Sequence, residues 1–265
     1  MAKISPFILV FVFLFLPSKP SEARSTFDND ATRYAVDFKH IFSSPAHFSN
    51  TQWLTTAAIL GTTASAFLID EPIRDFAQEN HSRFLDGLMP FGDYYGRFLT
   101  TTGLSTLVYI SGIAFDDEET RLTGRAMIEA LSFSLMISGS MKVIFGRSRP
   151  YMNQGNMQFN WFEISQDMRS FPSGHSTSAF AISSVLSERI RRPWVTAGLY
   201  GLATLTLLNR MYDDMHWLSD TLMGAAIGTT IGIAVGKRVN KEAEHRSKFN
   251  EPIAPLEFWT LRISF

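Results

Sequence analysis

Two histidines, an aspartate and a set of lysine and arginine residues are the side chains here with the means to do chemistry. His216 and Asp220 stand four apart, a spacing that puts both on one face of a helix, one turn from each other. A carboxylate there accepts the Nδ1–H bond, fixes the tautomer and leaves Nε2 with its lone pair as a nucleophile. The same pair also suits a metal-binding histidine, or a core histidine with a partner on the helix surface. Asn209 and Arg210 lie just upstream of it.

A second group is Phe171-Pro172-Ser173-Gly174-His175-Ser176. Pro172 stops what precedes it, Ser173 is a natural helix N-cap, and Gly174 lets a ligand approach the backbone closely. Free N–H groups at a helix start bind anions, and His175 placed there can hand a proton to a leaving oxygen. Read alone, the group is an ordinary cap with a surface histidine. In a third group, Lys142 precedes Arg149-Pro150 by seven residues, with Arg147 between. That is two helical turns if the helix continues, before Pro150 breaks it. Converging cations suit a phosphate dianion, to which arginine offers two bonds at once; alone, they also read as a juxtamembrane anchor.

The elements that must position these groups are apolar segments. They are Leu54–Ile69, Phe98–Phe115, Ala126–Met141, Ser176–Ser187, Trp194–Leu208 and Thr221–Gly236, and only the third holds a charge, Glu129. Their Ala, Leu and Met content and lack of alternation predict helices; frequent Gly, Ala, Ser and Thr predict close packing. The fold expected is all-α, a membrane-associated bundle of about six core helices with essentially no sheet. The third segment ends at Lys142, the fourth begins after Ser173, the fifth ends at Arg210 and the sixth follows His216. An alternating bundle therefore brings all three groups to one end. Glu188-Arg189-Ile190-Arg191-Arg192 and Lys237-Arg238 with Lys241 fall at the other, the cytoplasmic side by the positive-inside rule. The chemistry would then face the periplasm.

Lys3, the apolar run Ile4–Leu16 and the exit Ser21-Glu22-Ala23 have the form of an export signal, with Arg24 the first mature residue. The organisation predicted is a signal over 1–23, a polar segment over 24–53, a helical domain over 54–240 and a charged tail over 241–265. The tail ends in Trp259-Thr260-Leu261-Arg262-Ile263-Ser264-Phe265, a short strand-like alternation. A signal cleaved at 23 conflicts with a site outside after three crossings, so one segment must fail to span. Leu54–Ile69, rich in Thr and Ala, is the weakest.

Composition narrows the classes. With 24 Lys+Arg against 25 Asp+Glu the formal charge is −1, which argues against nucleic acid as a partner. With no cysteine, disulfides, thiolate metal sites and cysteine nucleophiles are excluded. A chain that is 45% hydrophobic and 18% charged is not disordered.

At Lys142-x6-Arg149-Pro150, Pro172-Ser173-Gly174-His175 and Asn209-Arg210-x5-His216-x3-Asp220 the sequence resembles the type 2 phosphatidic acid phosphatase superfamily. That group includes lipid phosphatases, bacterial nonspecific acid phosphatases and vanadium haloperoxidases. Every position of the signature matches but Asn209, where the family usually has serine. The match runs from about Lys142 to Asp220; the first hundred residues agree only in general character. The resemblance implies a metal-free, cofactor-free phosphatase. His216 would become a phosphohistidine, Asp220 would orient it, and His175 would be proton donor and then base. Lys142, Arg149, Arg210, Ser173 and the Gly174 N–H would hold the phosphoryl oxygens. The substrate expected is a lipid phosphate or diphosphate, with membrane lipids as surroundings. The rivals are a soluble periplasmic acid phosphatase acting on small phosphate esters, a vanadate-dependent haloperoxidase and a non-enzymatic protein of the same fold.

Overall fold

The computed structural model describes residues 20–249. The apolar run 4–16 and the strand-like segment 259–265 lie outside the described residues. In order, the chain forms α1 (Pro20–Ser43), a 3-10 turn (Ser44–His47), α2 (Asn50–Ala66), a second 3-10 turn (Phe67–Ile69), α3 (Asp70–Glu79), α4 (Arg83–Gly96) and α5 (Phe98–Ala114). Then come α6 (Glu118–Phe145), α7 (Gly174–Ile190), α8 (Pro193–Tyr212) and α9 (Leu218–Phe249). Among the described residues the only β feature is one isolated bridge, Arg147 to Phe159. The protein is an all-α bundle.

Each apolar segment read from the sequence forms the body of a helix, α2 and α5 to α9, with Leu54–Ile69 running on through the second 3-10 turn. Ser49 and Gln52 form a reciprocal capping box on α2, and Asp117 accepts from two N–H groups at the start of α6. Helices α1, α3 and α4 add to the six expected as the core. Helix α4 carries Gly87, Pro90, Gly92 and Gly96, residues that disfavour a helix in isolation, and it is held by packing instead. Helix α1 takes in most of the polar segment over 24–53. Its Asp30 pairs with Arg121 at 2.5 Å and Arg125 at 3.1 Å, and its Asp37 pairs with Arg238. The boundaries expected at 53/54 and 240/241 fall inside α2 and α9.

The centre of the bundle is α7, with Ala181, Ile182 and Val185 buried among Leu122, Ala126, Met127 and Phe133 of α6 and Ile231, Val235 and Val239 of α9. A ladder of glycines on α9 lets α7 touch it. A Cβ at Gly224 would sit 2.4 Å from the Ser173 oxygen, one at Gly228 2.3 Å from that of Thr177, and one at Gly232 2.6 Å from that of Ala181. Small residues every four positions permit this backbone approach, and it sets the Pro-Ser-Gly-His turn directly against the start of α9.

Three helical runs are long and apolar enough to cross a membrane: Asn50–Glu79, Glu118–Phe145 and Leu218–Arg246; Phe98–Ala114 is apolar but shorter. The first of these takes in Leu54–Ile69, the segment expected to be the weakest. The 3-10 turn at Phe67–Ile69 keeps the chain helical into α3, which lengthens the run. At the end of the bundle where α6 and α8 finish and α7 and α9 begin, the three chemical groups meet. At the other end Arg189 bonds Asn240 at 2.7 Å and pairs with Glu119 at 2.5 Å, which ties the finish of α7 to α9 and α6.

Candidate active site

Helix α6 ends where Gly146 takes a left-handed conformation, φ +51, with its N–H on the Lys142 carbonyl. A Cβ there would lie 1.7 Å from the Asn160 oxygen, so only glycine closes the helix in this way. Arg149 therefore does not lie two helical turns beyond Lys142. It returns to the site through an extended segment, held by its Nε on the Gln166 oxygen at 2.9 Å. Lys142 donates to the carbonyls of Arg169 at 2.8 Å and Ser170 at 3.4 Å.

Ser173 is the N-cap of α7, as its residue type predicts, accepting the Ser176 N–H at 3.4 Å. Gly174 and His175 open the helix. A Cβ at Gly174 would meet only Lys142, at 3.7 Å, so its surroundings leave space beside the backbone. At the end of α8, Asn209 accepts from Arg210 Nε at 3.0 Å and Nη2 at 2.7 Å. This is what the side chain at that position does here: it fixes the guanidinium.

His216 lies in the turn ahead of α9 rather than on a helix face. Its N–H bonds the Arg210 carbonyl at 3.1 Å, and its ring is buried. The pairing expected from the spacing still forms, with Nδ1 3.5 Å from Asp220 Oδ2. Ser170 Oγ bridges them, 3.4 Å from the His216 Nδ1 and 2.5 Å from the carboxylate. The Trp217 N–H donates to the same oxygen at 2.9 Å. Behind Asp220 stands a fully buried guanidinium. Arg147 donates to Asp220 at 2.5 Å, Asp70 at 2.7 Å and Ser219 Oγ at 2.7 Å. Asp70, at the start of α3, also accepts from the Ser219 N–H at 2.9 Å. The Phe67 ring covers the guanidinium at 4.2 Å, a cation–π contact.

All eight residues singled out from the sequence gather at this end. Burial pushes the His216 ring well below the usual histidine range, and Lys142 and Arg149 push the same way against Asp220. Burial, then Arg210, pushes His175 down to about 4, and Asp93 opposes them. A neutral, oriented imidazole thus faces a cradle of cations, an arrangement fit for nucleophilic attack at a phosphoryl centre. Among the described residues no three His, Asp or Glu side chains form a metal-ligand set. Sequence reasoning placed Arg147 only as lying between two site residues, and it missed Asp70, Asp93 and Ser170. None of these stands at a motif spacing: Ser170 reaches His216 across 46 residues, and Asp70 reaches Ser219 across 149.

Residues 124–243 match the family model of the PAP2 superfamily. A curated relative, the lipid A 1-phosphatase of Porphyromonas gingivalis, is 35% identical over 104 residues. That match takes in 38% of this chain and spans 20% of the relative's length. A crystal structure of Aquifex aeolicus LpxE superposes with a TM-score of 0.51 at 25% identity, covering 64% of this chain and 95% of that one. A transmembrane PAP2-type phosphatidylglycerolphosphate phosphatase from Bacillus subtilis shares the fold. Its TM-score is 0.51 at 19% identity, over 82% of this chain and 98% of that one. With the three motif groups brought together inside it, the helical unit over residues 124–243 is a PAP2 superfamily domain.

Proposed function

We propose that the protein is a membrane phosphatase that cleaves a phosphomonoester or diphosphate of a lipid through a phosphohistidine, without a metal ion. The observation that carries this reading is the buried His216, paired with Asp220 and within the field of Lys142 and Arg149, with His175 and Arg210 beside Lys142 at the same end. Nε2 of His216 attacks phosphorus while the bond to the leaving oxygen breaks, and His175 gives that oxygen its proton. His175 then takes a proton from water, which attacks phosphorus; the P–N bond breaks and His216 is restored. Lys142, Arg149 and Arg210, with Ser173 and the Gly174 N–H, hold the equatorial oxygens as charge develops. Positioning and electrostatics are most of what phosphoryl transfer asks of a protein.

A lipid substrate is favoured by the rim. Phe91, Tyr94 and Phe98 beside Asp93, and Trp161, Phe162 and Ile164 on the loop before α7, are all exposed apolar or aromatic side chains. Such side chains suit a membrane interface. The relative and the fold neighbour named for a reaction are both named for lipid phosphates. A periplasm-facing site follows from the basic connectors at the other end. It also puts α1 on the cytoplasmic side, which does not fit a signal cleaved at 23 that delivers Arg24 outside.

The test is phosphate release by purified full-length protein, with EDTA present, from lipid phosphates and a small aryl phosphate. Preference for the lipids in detergent supports the reading. Strong turnover of the small ester without detergent would favour a soluble acid phosphatase instead, and no release from any substrate would sink both.

The site also predicts a pH profile. Proton donation needs His175 charged, yet in the free enzyme its pKa is lowered to about 4; a bound phosphate dianion raises it. The alkaline limb should therefore lie at higher pH in kcat than in kcat/KM, after correction for substrate ionisation. The acid limb, set by His216, should fall below the ordinary histidine pKa. Coincident alkaline limbs would contradict the assignment of His175.

A further inference from the structure

The three motif groups do not include the carboxylate that lies between two of them. Asp93, in the last turn of α4, presents Oδ1 to Arg210 Nη2 at 2.9 Å and to His175 Nε2 at 3.4 Å. Its other oxygen, Oδ2, accepts from Arg97 Nε at 2.6 Å. The charges facing His175 from the packed elements are Arg210 on α8, Lys142 on α6, and Asp93 and Arg97 at the end of α4. Of these four, three are positive and Asp93 alone is negative. A histidinium among three cations is disfavoured by Coulomb repulsion, so Asp93 is the group that offsets it.

The fold holds this carboxylate in place. A Cβ at Gly92 would lie 2.5 Å from the Leu205 oxygen, and one at Gly96 would lie 2.4 Å from Thr206 and 2.9 Å from the His175 oxygen. The two glycines flanking Asp93 therefore let α4 lie directly on α8 and on the first turn of α7. Thr206 Oγ1 donates to the Gly92 carbonyl at 2.7 Å, and Tyr95 bonds Ser183 at 2.8 Å. The helix is docked on both sides of the acid, and the acid points at the proton donor.

We propose that Asp93 is a positioning residue for phosphoryl transfer. Its negative charge favours the charged, proton-donating form of His175 over the neutral one. This rests on the phosphatase reading above. Removing the carboxylate should then matter in proportion to how much the leaving oxygen needs a proton. An alkoxide needs one; a nitrophenolate departs without it.

The experiment compares full-length wild type with Asp93→Asn and Asp93→Glu in detergent, on a lipid phosphate and on a nitrophenyl phosphate. For Asp93→Asn, kcat on the lipid ester should fall by about 100-fold, the lower end of a general acid's contribution, with turnover of the nitrophenyl ester little changed. The alkaline limb of kcat/KM should move to lower pH, because losing the negative charge lowers the affinity of His175 for its proton. Asp93→Glu should recover part of the lipid activity. Retained nitrophenyl turnover also shows that the variant is folded. Equal losses on both esters, or an unmoved alkaline limb, would overturn the role in proton donation and leave Asp93 as an anchor for packing or for Arg210. If wild type itself releases phosphate from neither ester, the phosphatase reading fails, and this inference with it.

Discussion

His216→Ala is expected to lower phosphate release by about 10⁴-fold or more, since on the proposed phosphohistidine route it removes the covalent nucleophile and leaves only binding and electrostatic stabilisation. The imidazole is 4% exposed, so its truncation opens a hole. The hole adjoins the polar cradle of Lys142, Arg149 and Asp220, where water can enter, and the loss of stability should stay modest. Two measurements separate chemistry from folding. Thermal unfolding in detergent should show a small change. Acid-labile, alkali-stable phosphate should appear on wild type quenched during turnover and be missing from the variant. Full activity in a folded His216→Ala protein would remove the nucleophile assignment; labelled phosphate on that variant would place the covalent bond elsewhere.

Arg147→Met carries the second large effect, and it should reach both stability and activity. Arg147, Asp70 and Asp220 all have fully buried side chains. Removing the guanidinium leaves two carboxylates in a water-poor interior without their shared counter-charge. Breaking a buried ion pair from one side costs about 3–5 kcal/mol. A large fall in Tm is therefore expected. In the protein that still folds, kcat should fall about 100-fold or more, because Asp220 no longer holds its place against His216. Arg147→Lys should be only partly better, since one ammonium cannot reproduce a fork that bonds two carboxylates at once. Adding Asp70→Asn to Arg147→Met should recover part of the stability by removing one unpaired charge, a coupling that a double-mutant cycle reads directly. An Arg147→Met protein with unchanged Tm and kcat would show that the pair of ion bonds contributes neither.

These two experiments differ in how far the sequence foretold them. His216 and Asp220 announce themselves by a four-residue spacing. That spacing survives even though His216 sits in a turn, because Trp217 donates its N–H to the same carboxylate and draws the turn close. Ser173 was legible as a cap from its type and its place after Pro172. Arg147 was visible only as a residue between two others, since nothing in its spacing points to Asp70, 77 positions away. Lys142 and Arg149 would stand two helical turns apart only if the helix continued; Gly146 ends it, and the two cations meet by a return of the chain instead.

Residue order encodes the local and periodic parts of this protein. Apolar segments bounded by polar connectors dictate helices, alternation dictates which ends meet, and the three motif groups mark the end where the proposed chemistry lies. These follow from hydrogen bonding and hydrophobic burial within a few turns, which the order of residues encodes directly. What only the tertiary structure decided is which distant groups complete the site: Asp70 and Arg147 behind Asp220, Ser170 beside His216, and Asp93 on His175. Such contacts depend on the distance at which helices stop approaching. The missing side chains of Gly92, Gly96 and Gly224 set that distance here, and it becomes known only once the helices are packed.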